Sequence, residues 1–339
     1  MKPSTPLNIS ILYNKPAARF TADDAYKEAE EDTEHSAVEV AQALSHKGMH
    51  PTLIPVTEHT IEQTITSLPS DIVFNLIEWT GVDVPYADKI YDLMDAKKVC
   101  YTGATKESYF LSCDKTVSKK RLDELHLSTA SWQMFVTGEE VVRDDLVYPL
   151  IVKVSNEHSS VGIEKDSIIH TKQDLLPVVK QRIETYRQPV FAEAFLPGRE
   201  FQVTLLEMED GLRVLPPAEI MYTKGTDVPL LTYHSRWDEE HHDYTNSRVA
   251  LAKLSLSLER DIMTMSTTAF KQMGFRDYAR FDIRCDAHDT PYFLELNSNP
   301  GLGDDPEYGM TVSYKAAGMT FSDFVFEIVN STHRRCVTG

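Results

Sequence analysis

The sequence predicts a mixed α/β (α+β) protein, and three observations carry that expectation. Over the first hundred residues, strand-like runs at Leu7–Tyr13, Thr52–Val56 and Asp71–Leu76 alternate with helix-like stretches at Ser36–Lys47 and Ile61–Leu68. Such alternation implies a parallel sheet with helical crossovers. From residue 147 the pattern changes to closely spaced strands, Val147–Val154, a strand ending at Ile169, Pro189–Leu196 and Phe201–Glu207. Finally, residues 278–301 read YARFDIRCDAHDTPYFLELNSNPG, two apolar-rich segments around the turn-forming Asp286-Ala287-His288-Asp289, which is a β-hairpin pattern. At 339 residues the chain can bury a large core and make two or three domains.

Composition narrows the function classes. Hydrophobic residues make up 42% and charged residues 25%, ordinary values for a globular protein. The net charge of −18 argues against a nucleic-acid partner, since no basic stripe is offered to phosphates. The apolar run near the N-terminus is too short for a secretory signal, and no segment is long enough to span a bilayer. These features make a cytoplasmic protein with neither membrane nor nucleic acid as partner the expectation. Cys100, Cys113, Cys285 and Cys336 lie far apart without Cys-x-x-Cys spacing, which argues against a zinc site or a disulfide framework.

Taken in order, the acidic stretch Thr21–Glu34 precedes the helix Ser36–Lys47, which Gly48 ends. Ligands on parallel sheets meet the carboxyl ends of the strands, which points to Asn75, Glu78 and Asp83, although a solvated loop accounts for each equally well. A short strand at Tyr101-Thr102-Gly103 closes the first part. A helix over Ser112–Leu125 carries Lys115, Lys119 and Lys120; judged alone, these are solvated lysines. Lys153 sits amid apolar neighbours at the end of a strand and runs into the hydroxyl-rich loop Ser155–Gly162. That arrangement reads either as a phosphate clamp or as a hairpin with a polar turn. Leu175–Tyr186 is helical. Glu193, inside an apolar strand, is either paired in the core or accepts from a ligand. The long polar segment 222–247 reads as an active-site lid, in which His241 and His242 are taken as solvated. Ala250–Met273 reads as one long helix ended by Gly274, and Gly309–Gly318 and Phe321–Asn330 as two closing helices.

The hairpin is the most informative stretch. Strand side chains alternate faces, so Arg280 and Asp282 share one face, as do Glu295 and Asn297. Pairing about the turn can set Asp282 opposite Glu295, and two carboxylates across a sheet repel. A cation removes that cost, and Asp, Glu and Asn offer oxygen only, which suits Mg²⁺. An exposed hairpin with charges on its wet face is the plain reading. Against it, Phe281, Ile283, Phe293, Leu294 and Leu296 provide residues to bury.

Together, Asp114-Lys115, Ile151-Val152-Lys153, Ser159-Ser160-Val161-Gly162, Glu193, Gly198-Arg199-Glu200, Arg280-Phe281-Asp282 and Glu295-Leu296-Asn297-Ser298-Asn299-Pro300-Gly301 resemble the ATP-grasp superfamily. Within it they resemble the D-alanine–D-alanine ligase-like carboxylate–amine ligases, strongly from about Ser112 to Val329. The resemblance implies three subdomains, 1–111, 112–190 and 191–335, with a nucleotide cleft between the last two. It implies ATP phosphates on Lys115 and Lys153 beneath the loop of Ser159, Ser160 and Gly162. The base would meet Glu193, Ala194, Phe195 and Leu196, and the ribose Glu200. Asp282, Glu295 and Asn297 would hold Mg²⁺, two ions with Mn²⁺ able to substitute. Arg280 and the Gly301 N–H would stabilise an oxyanion, with Ser160 and the lid residue Arg236 also catalytic.

The implied reaction joins a small carboxylate, such as an amino acid, to an amine through an acyl phosphate, releasing ADP and phosphate. Departures lie in the substrate subsites. The first-domain loop reads Asn75-Leu76-Ile77-Glu78-Trp79-Thr80-Gly81, a candidate amine grip reads Glu34-His35-Ser36, and the family's acceptor serine is replaced near Asp304-Asp305-Pro306. Glu34, Ser36, Glu78 and Asp304 are therefore the substrate candidates, and a substrate other than D-alanine is expected. The competing readings are a genuine D-alanine–D-alanine ligase, a small-molecule kinase and a nucleotide-binding regulatory module. A homodimer is the expected assembly.

Overall fold

The computed structural model describes residues 7–15, 27–79, 81–157, 160–223, 229–237, 241 and 244–338. The first part runs β1 (Asn8–Asn14), α1 (Lys27–His46), β2 (His50–Val56), α2 (Ile61–Thr66), β3 (Ile72–Leu76), α3 (Val84–Ala96) and α4 (Lys106–Cys113). Next come α5 (Lys115–Glu124), β4 (Trp132–Phe135), β5 (Leu150–Val154), β6 (Ile168–Ile169), α6 (Lys172–Tyr186) and β7 (Val190–Ala194). The last part comprises β8 (Glu200–Met208), β9 (Gly211–Val214), β10 (Ala218–Tyr222), α7 (Tyr233–Trp237), β11 (Ser247–Leu251), α8 (Leu256–Gln272), β12 (Tyr278–Cys285), β13 (Pro291–Asn297), α9 (Gly309–Ala316) and α10 (Phe321–Thr338).

Three sheets organise these elements. β1 lies between β2 and β3 in a parallel sheet, as the alternation of strands and helices requires. Its Ile9 and Ile11 face α1 and the C-terminal helix, packing with Val40, Leu44, Phe324 and Ile328 in one cluster. The second sheet, ordered β4-β7-β5-β6, is antiparallel and is covered by α6. The third, ordered β11-β10-β8-β12-β13 with β9 on β8, rests on α8 through Phe201, Phe270, Phe281 and Phe293. Sheet membership changes after Ala194, within the tight turn Phe195–Arg199. There Gly198 passes so close to β12 that a Cβ would lie 2.4 Å from the Asp286 carbonyl, leaving room only for glycine.

Several expectations needed correction. The helix expected over Ser112–Leu125 is two helices, because Asp114 has an extended backbone and its carboxylate accepts from the N–H groups of Thr116 (2.8 Å) and Val117 (3.3 Å). An N-cap restarts the helix there, so Lys115 is its first residue. Ala250–Met273 is likewise not one helix. Residues 247–251 form an edge strand on β10, and Ser255 then caps α8 by accepting from Leu258 N. The helix placed at Ser36–Lys47 begins at Lys27, and the last helix continues past Asn330 to Thr338. That extension carries Cys336 back to Cys100, and the two form a disulfide 236 residues apart in sequence, contrary to the cysteine reading. Spacing could not reveal it, because only the docking of α10 brings the two together. Cys113 and Cys285 stay free and buried.

One turn gives a pH prediction. After β4 the Glu140 carboxylate accepts from the backbone N–H of Val136, Thr137 and Gly138 at 2.8–2.9 Å. Burial is the largest single influence and pushes this carboxyl up, but the N–H donors together outweigh it and bring the pKa down to about 2. A depressed carboxyl contributes stability above its unfolded pKa and loses it as pH falls towards the folded value. Glu140→Gln should therefore flatten the acid limb of the unfolding midpoint between about pH 4.5 and about pH 2, read by urea titration at each pH. An unchanged acid limb would remove Glu140 from the account.

Candidate active site

The hairpin β12–β13 takes the register that its sequence suggests. Arg280 pairs with Asn297 and Asp282 with Glu295, and a bulge follows between Asp282 and Ile283. The opposite face buries Phe281, Ile283, Phe293 and Leu296, which fixes the polar face towards a cleft. Arg280 donates to Asp282 through Nε (2.9 Å) and Nη2 (3.1 Å), and Asn297 Nδ2 lies 3.3 Å from the same carboxylate. Lys115 Nζ, at the start of α5, lies 3.0 Å from Glu295. The repulsion between the paired carboxylates is thus balanced by one protein cation on each.

Burial pushes the Asp282 carboxyl up; Arg280 opposes this, the Glu295 charge reinforces it, and the net direction is upward. A pair of clustered carboxylates with one pKa raised gains from a further cation. The donors present, two carboxylates and an amide, are oxygen ligands of the kind Mg²⁺ takes while keeping waters and phosphate in its remaining positions. Among the described residues no group of three or more His, Cys, Asp or Glu forms a metal cluster, so a closed all-protein cage is not what this site offers. The donor set fits Mg²⁺ shared with a phosphate.

Facing the hairpin is a wall from the four-stranded sheet. Lys153 on β5 donates to Glu193 Oε1 on β7 at 2.7 Å. From the far side, Lys119 Nζ on α5 stands 2.5 Å from Glu193 Oε2, an ion pair outside hydrogen-bond geometry. Lys119 is only 1% exposed and so is not a solvated lysine, because α5 docks this face onto β7. Burial would raise the Glu193 carboxyl, but Lys119 and then Lys153 outweigh it and hold it below the ordinary value.

The Ser155–Gly162 loop is pinned from outside, by Lys115 N to Ser155 O (3.0 Å), Gly81 N to Asn156 O (2.7 Å) and Gln188 Nε2 to Glu157 Oε1 (2.7 Å). Ser160 and Gly162 take left-handed backbone conformations with φ of 63° and 74°. Ser159 lies outside the described residues.

A cavity of about 340 Å³ separates the two walls. It is lined by Lys115, Lys153, Ser160, Glu193, Ala194, Phe195 and Leu196 on one side, and by Glu200, Arg280, Asp282, Glu295, Asn297 and Gly301 on the other. Glu78 also reaches it, together with Asp305, Glu307 and Tyr308 from the loop after Gly301.

The matching family model, "D-ala D-ala ligase C-terminus", spans residues 123–330. The chain belongs to this family. An uncharacterized protein of Sinorhizobium fredii is 30% identical over 267 residues, 78% of this chain and 76% of that protein. A D-alanine–D-alanine ligase of Nitrosococcus oceani is 29% identical over 248 residues, 73% of each chain. The crystal structure of a D-alanine–D-alanine ligase from Bacillus anthracis matches with a TM-score of 0.74 at 19% identity, covering 98% of this chain and 99% of that one. The fold is therefore ATP-grasp, shared along almost the whole chain with that ligase structure.

Not every expected residue of the ligase site comes to the cavity. Glu34 pairs with Lys15 and accepts from Tyr13 at 3.3 Å, Ser36 is buried on α1, and neither lines the cleft. Asp304 is taken up by Tyr314 (2.6 Å) and Lys315 (2.8 Å) and does not line the cavity. Arg236 lies on α7, and its side chain is outside the described residues, as are 224–228, 238–240 and 242–243 of the lid. Residue-by-residue reading missed Lys119, Tyr222 and Arg284. Arg284 donates to Glu200 Oε2 at 2.9 Å, and its guanidinium lies 4.8 Å from the Phe195 ring; Tyr222 donates to the same Glu200 oxygen at 2.8 Å. The alternation that linked Arg280 to Asp282 continues to Arg284 and could have found it. Nothing in the sequence marks Tyr222.

Proposed function

We propose that this ATP- and Mg²⁺-dependent carboxylate–amine ligase of the D-alanine–D-alanine ligase type makes an amide between a small carboxylate and an amine other than the D-alanine pair. The observation that carries the reading is one cavity lined together by lysines, paired carboxylates and Arg280. Lys115 and Lys153 supply charge to the phosphates, Glu193 and the Ala194–Leu196 backbone take the base, and Glu200 takes the ribose. Asp282, Glu295 and Asn297 would hold Mg²⁺, two ions with Mn²⁺ able to substitute, which would neutralise phosphate charge. Phosphoryl transfer rests on alignment and charge neutralisation, so a substrate carboxylate held in line attacks the γ-phosphate without covalent help from the chain. The amine then attacks the acyl phosphate, the C–N bond forms as phosphate leaves, and Arg280 with the Gly301 N–H faces the oxygen that becomes negative. The lid over 222–247, with Arg236 and Ser160, excludes water that would hydrolyse the acyl phosphate.

Support for a different substrate comes from the acceptor end. There the loop after Gly301 presents Asp305 and Glu307 to the cavity, while Glu34, Ser36 and Asp304 stay off its lining. The subdomain limits 1–111, 112–190 and 191–335 and a homodimeric assembly belong to the same reading. Among the described residues no helix is long and apolar enough to cross a membrane. We place the enzyme in the cytoplasm. The test is ADP and phosphate release with Mg-ATP across amino acids and amines, singly and in pairs, followed by mass spectrometry. Release stimulated by a pair other than two D-alanines, with a product lighter than the sum by one water, is the expected result. Turnover with D-alanine alone would make it a standard member. A stable phosphorylated product would make it a kinase.

A further inference from the structure

Glu193 is served by two lysines that differ in access. Lys153 lines the cavity and its side chain is 12% exposed, whereas the Lys119 side chain is 2% exposed and does not line the cavity. Lys119 Nζ is fixed on three sides, by Glu193 Oε2 at 2.5 Å, by Thr129 Oγ1 at 2.7 Å and by the Phe191 ring, whose centroid is 5.7 Å away. Thr129 Oγ1 in turn donates to the Phe293 carbonyl at 3.2 Å, and Phe293 N donates back to Ser128 O at 2.9 Å. The segment that holds Lys119 is thereby stitched to β13 of the metal-type hairpin. The same segment runs into β4, whose Trp132 pairs with Glu193 itself.

A buried carboxylate with one counterion cannot release it without leaving a bare charge in a low-dielectric interior. A carboxylate with two can lend one. Resting on the reading that Lys153 meets the phosphates and Glu193 the base, we propose that Lys119 is the fixed counterion of Glu193, a positioning residue that frees Lys153 for the nucleotide. Lys119 never touches ATP. It keeps Glu193 charged and oriented along β7 while the Lys153 ammonium leaves its 2.7 Å contact with that carboxylate and turns into the cleft. Without Lys119, Lys153 becomes the sole partner of Glu193 and stays on it, so the phosphates lose a cation although Lys153 is intact.

Binding of Mg-ADP by calorimetry tests this in Lys119→Met, Lys153→Met, Glu193→Gln and the double variant Lys119→Met/Glu193→Gln, with urea unfolding in parallel. Lys119→Met should weaken binding by at least about tenfold, the effect of one unmade charged contact. In the double variant no buried carboxylate detains Lys153, so most of that loss should return relative to Glu193→Gln alone. A purely structural lysine would instead show the same loss in both backgrounds, and that result overturns the proposal. If Lys119→Met fails to fold, the comparison of the double variant with Glu193→Gln still decides, since equal binding supports the proposal and a tenfold deficit refutes it. Unchanged binding in Lys153→Met would count against the reading of the nucleotide site itself, whereas loss in Lys153→Met with none in Lys119→Met would sink only the role of Lys119.

Discussion

Glu295→Gln is expected to lower ATP-dependent turnover by more than about 100-fold while leaving the protein at least as stable. Substitution of residues that merely support metal ligands costs about 10–100-fold, so loss of a direct ligand should exceed that. The stability side follows from the register. Glu295 stands across the strand pair from Asp282 on a mostly buried face, and the two charges repel. Glutamine keeps the shape, can still accept from Lys115 and removes the repulsion. Opposite signs on activity and stability mark a residue held for chemistry. Circular dichroism, urea unfolding and ADP release on one preparation check both halves. An active variant would rule out Glu295 as a metal ligand, and an unfolded one would make the Lys115–Glu295 pair structural.

Glu193→Ala is expected to give the largest loss of stability among the site residues, about 3–5 kcal/mol, because it strands buried cations. Lys119 has no route to solvent, and burial already pulls its ammonium below the ordinary lysine range, with Glu193 opposing that pull. Removing Glu193 drives Lys119 further down. A lysine whose folded pKa is depressed binds fewer protons in the folded than in the unfolded state, so stability rises with pH through that interval. The deficit of Glu193→Ala should therefore shrink as the pH is raised from neutral towards the unfolded lysine value of about 10.4. Urea unfolding across that range reads it directly. A deficit independent of pH would place the cost in lost packing of β7.

How much of this was legible in the sequence depended on the range of the interaction. The hairpin was readable because its face is set by a two-residue period and its register by a short turn, both local properties. Glu193 stood out because a carboxylate inside an apolar strand must find a partner, but the sequence left open whether that partner was a ligand or the core. The boundary at Asp114 was missed because capping competes with a helical pattern that runs on through it. The edge strand at 247–251 was missed because its reason to be extended, the free edge of β10, lies elsewhere in the chain.

By itself, then, the sequence determined most of the order of strands and helices and the polar face of the hairpin, and it singled out the residues proposed here to handle the nucleotide. The first two follow from periodicity and local turn chemistry, the last from the resemblance to the ligase family. Only the tertiary structure decided that Lys119 is buried against Glu193, that Arg284 and Tyr222 hold Glu200, and that Cys336 returns to Cys100. It also decided that Glu34, Ser36 and Asp304 stay off the cavity lining while Asp305 and Glu307 reach it. The physical reason is common to these cases. Burial and charge pairing are properties of neighbours in space, and here those neighbours lie on different sheets and helices brought together only when the cores close.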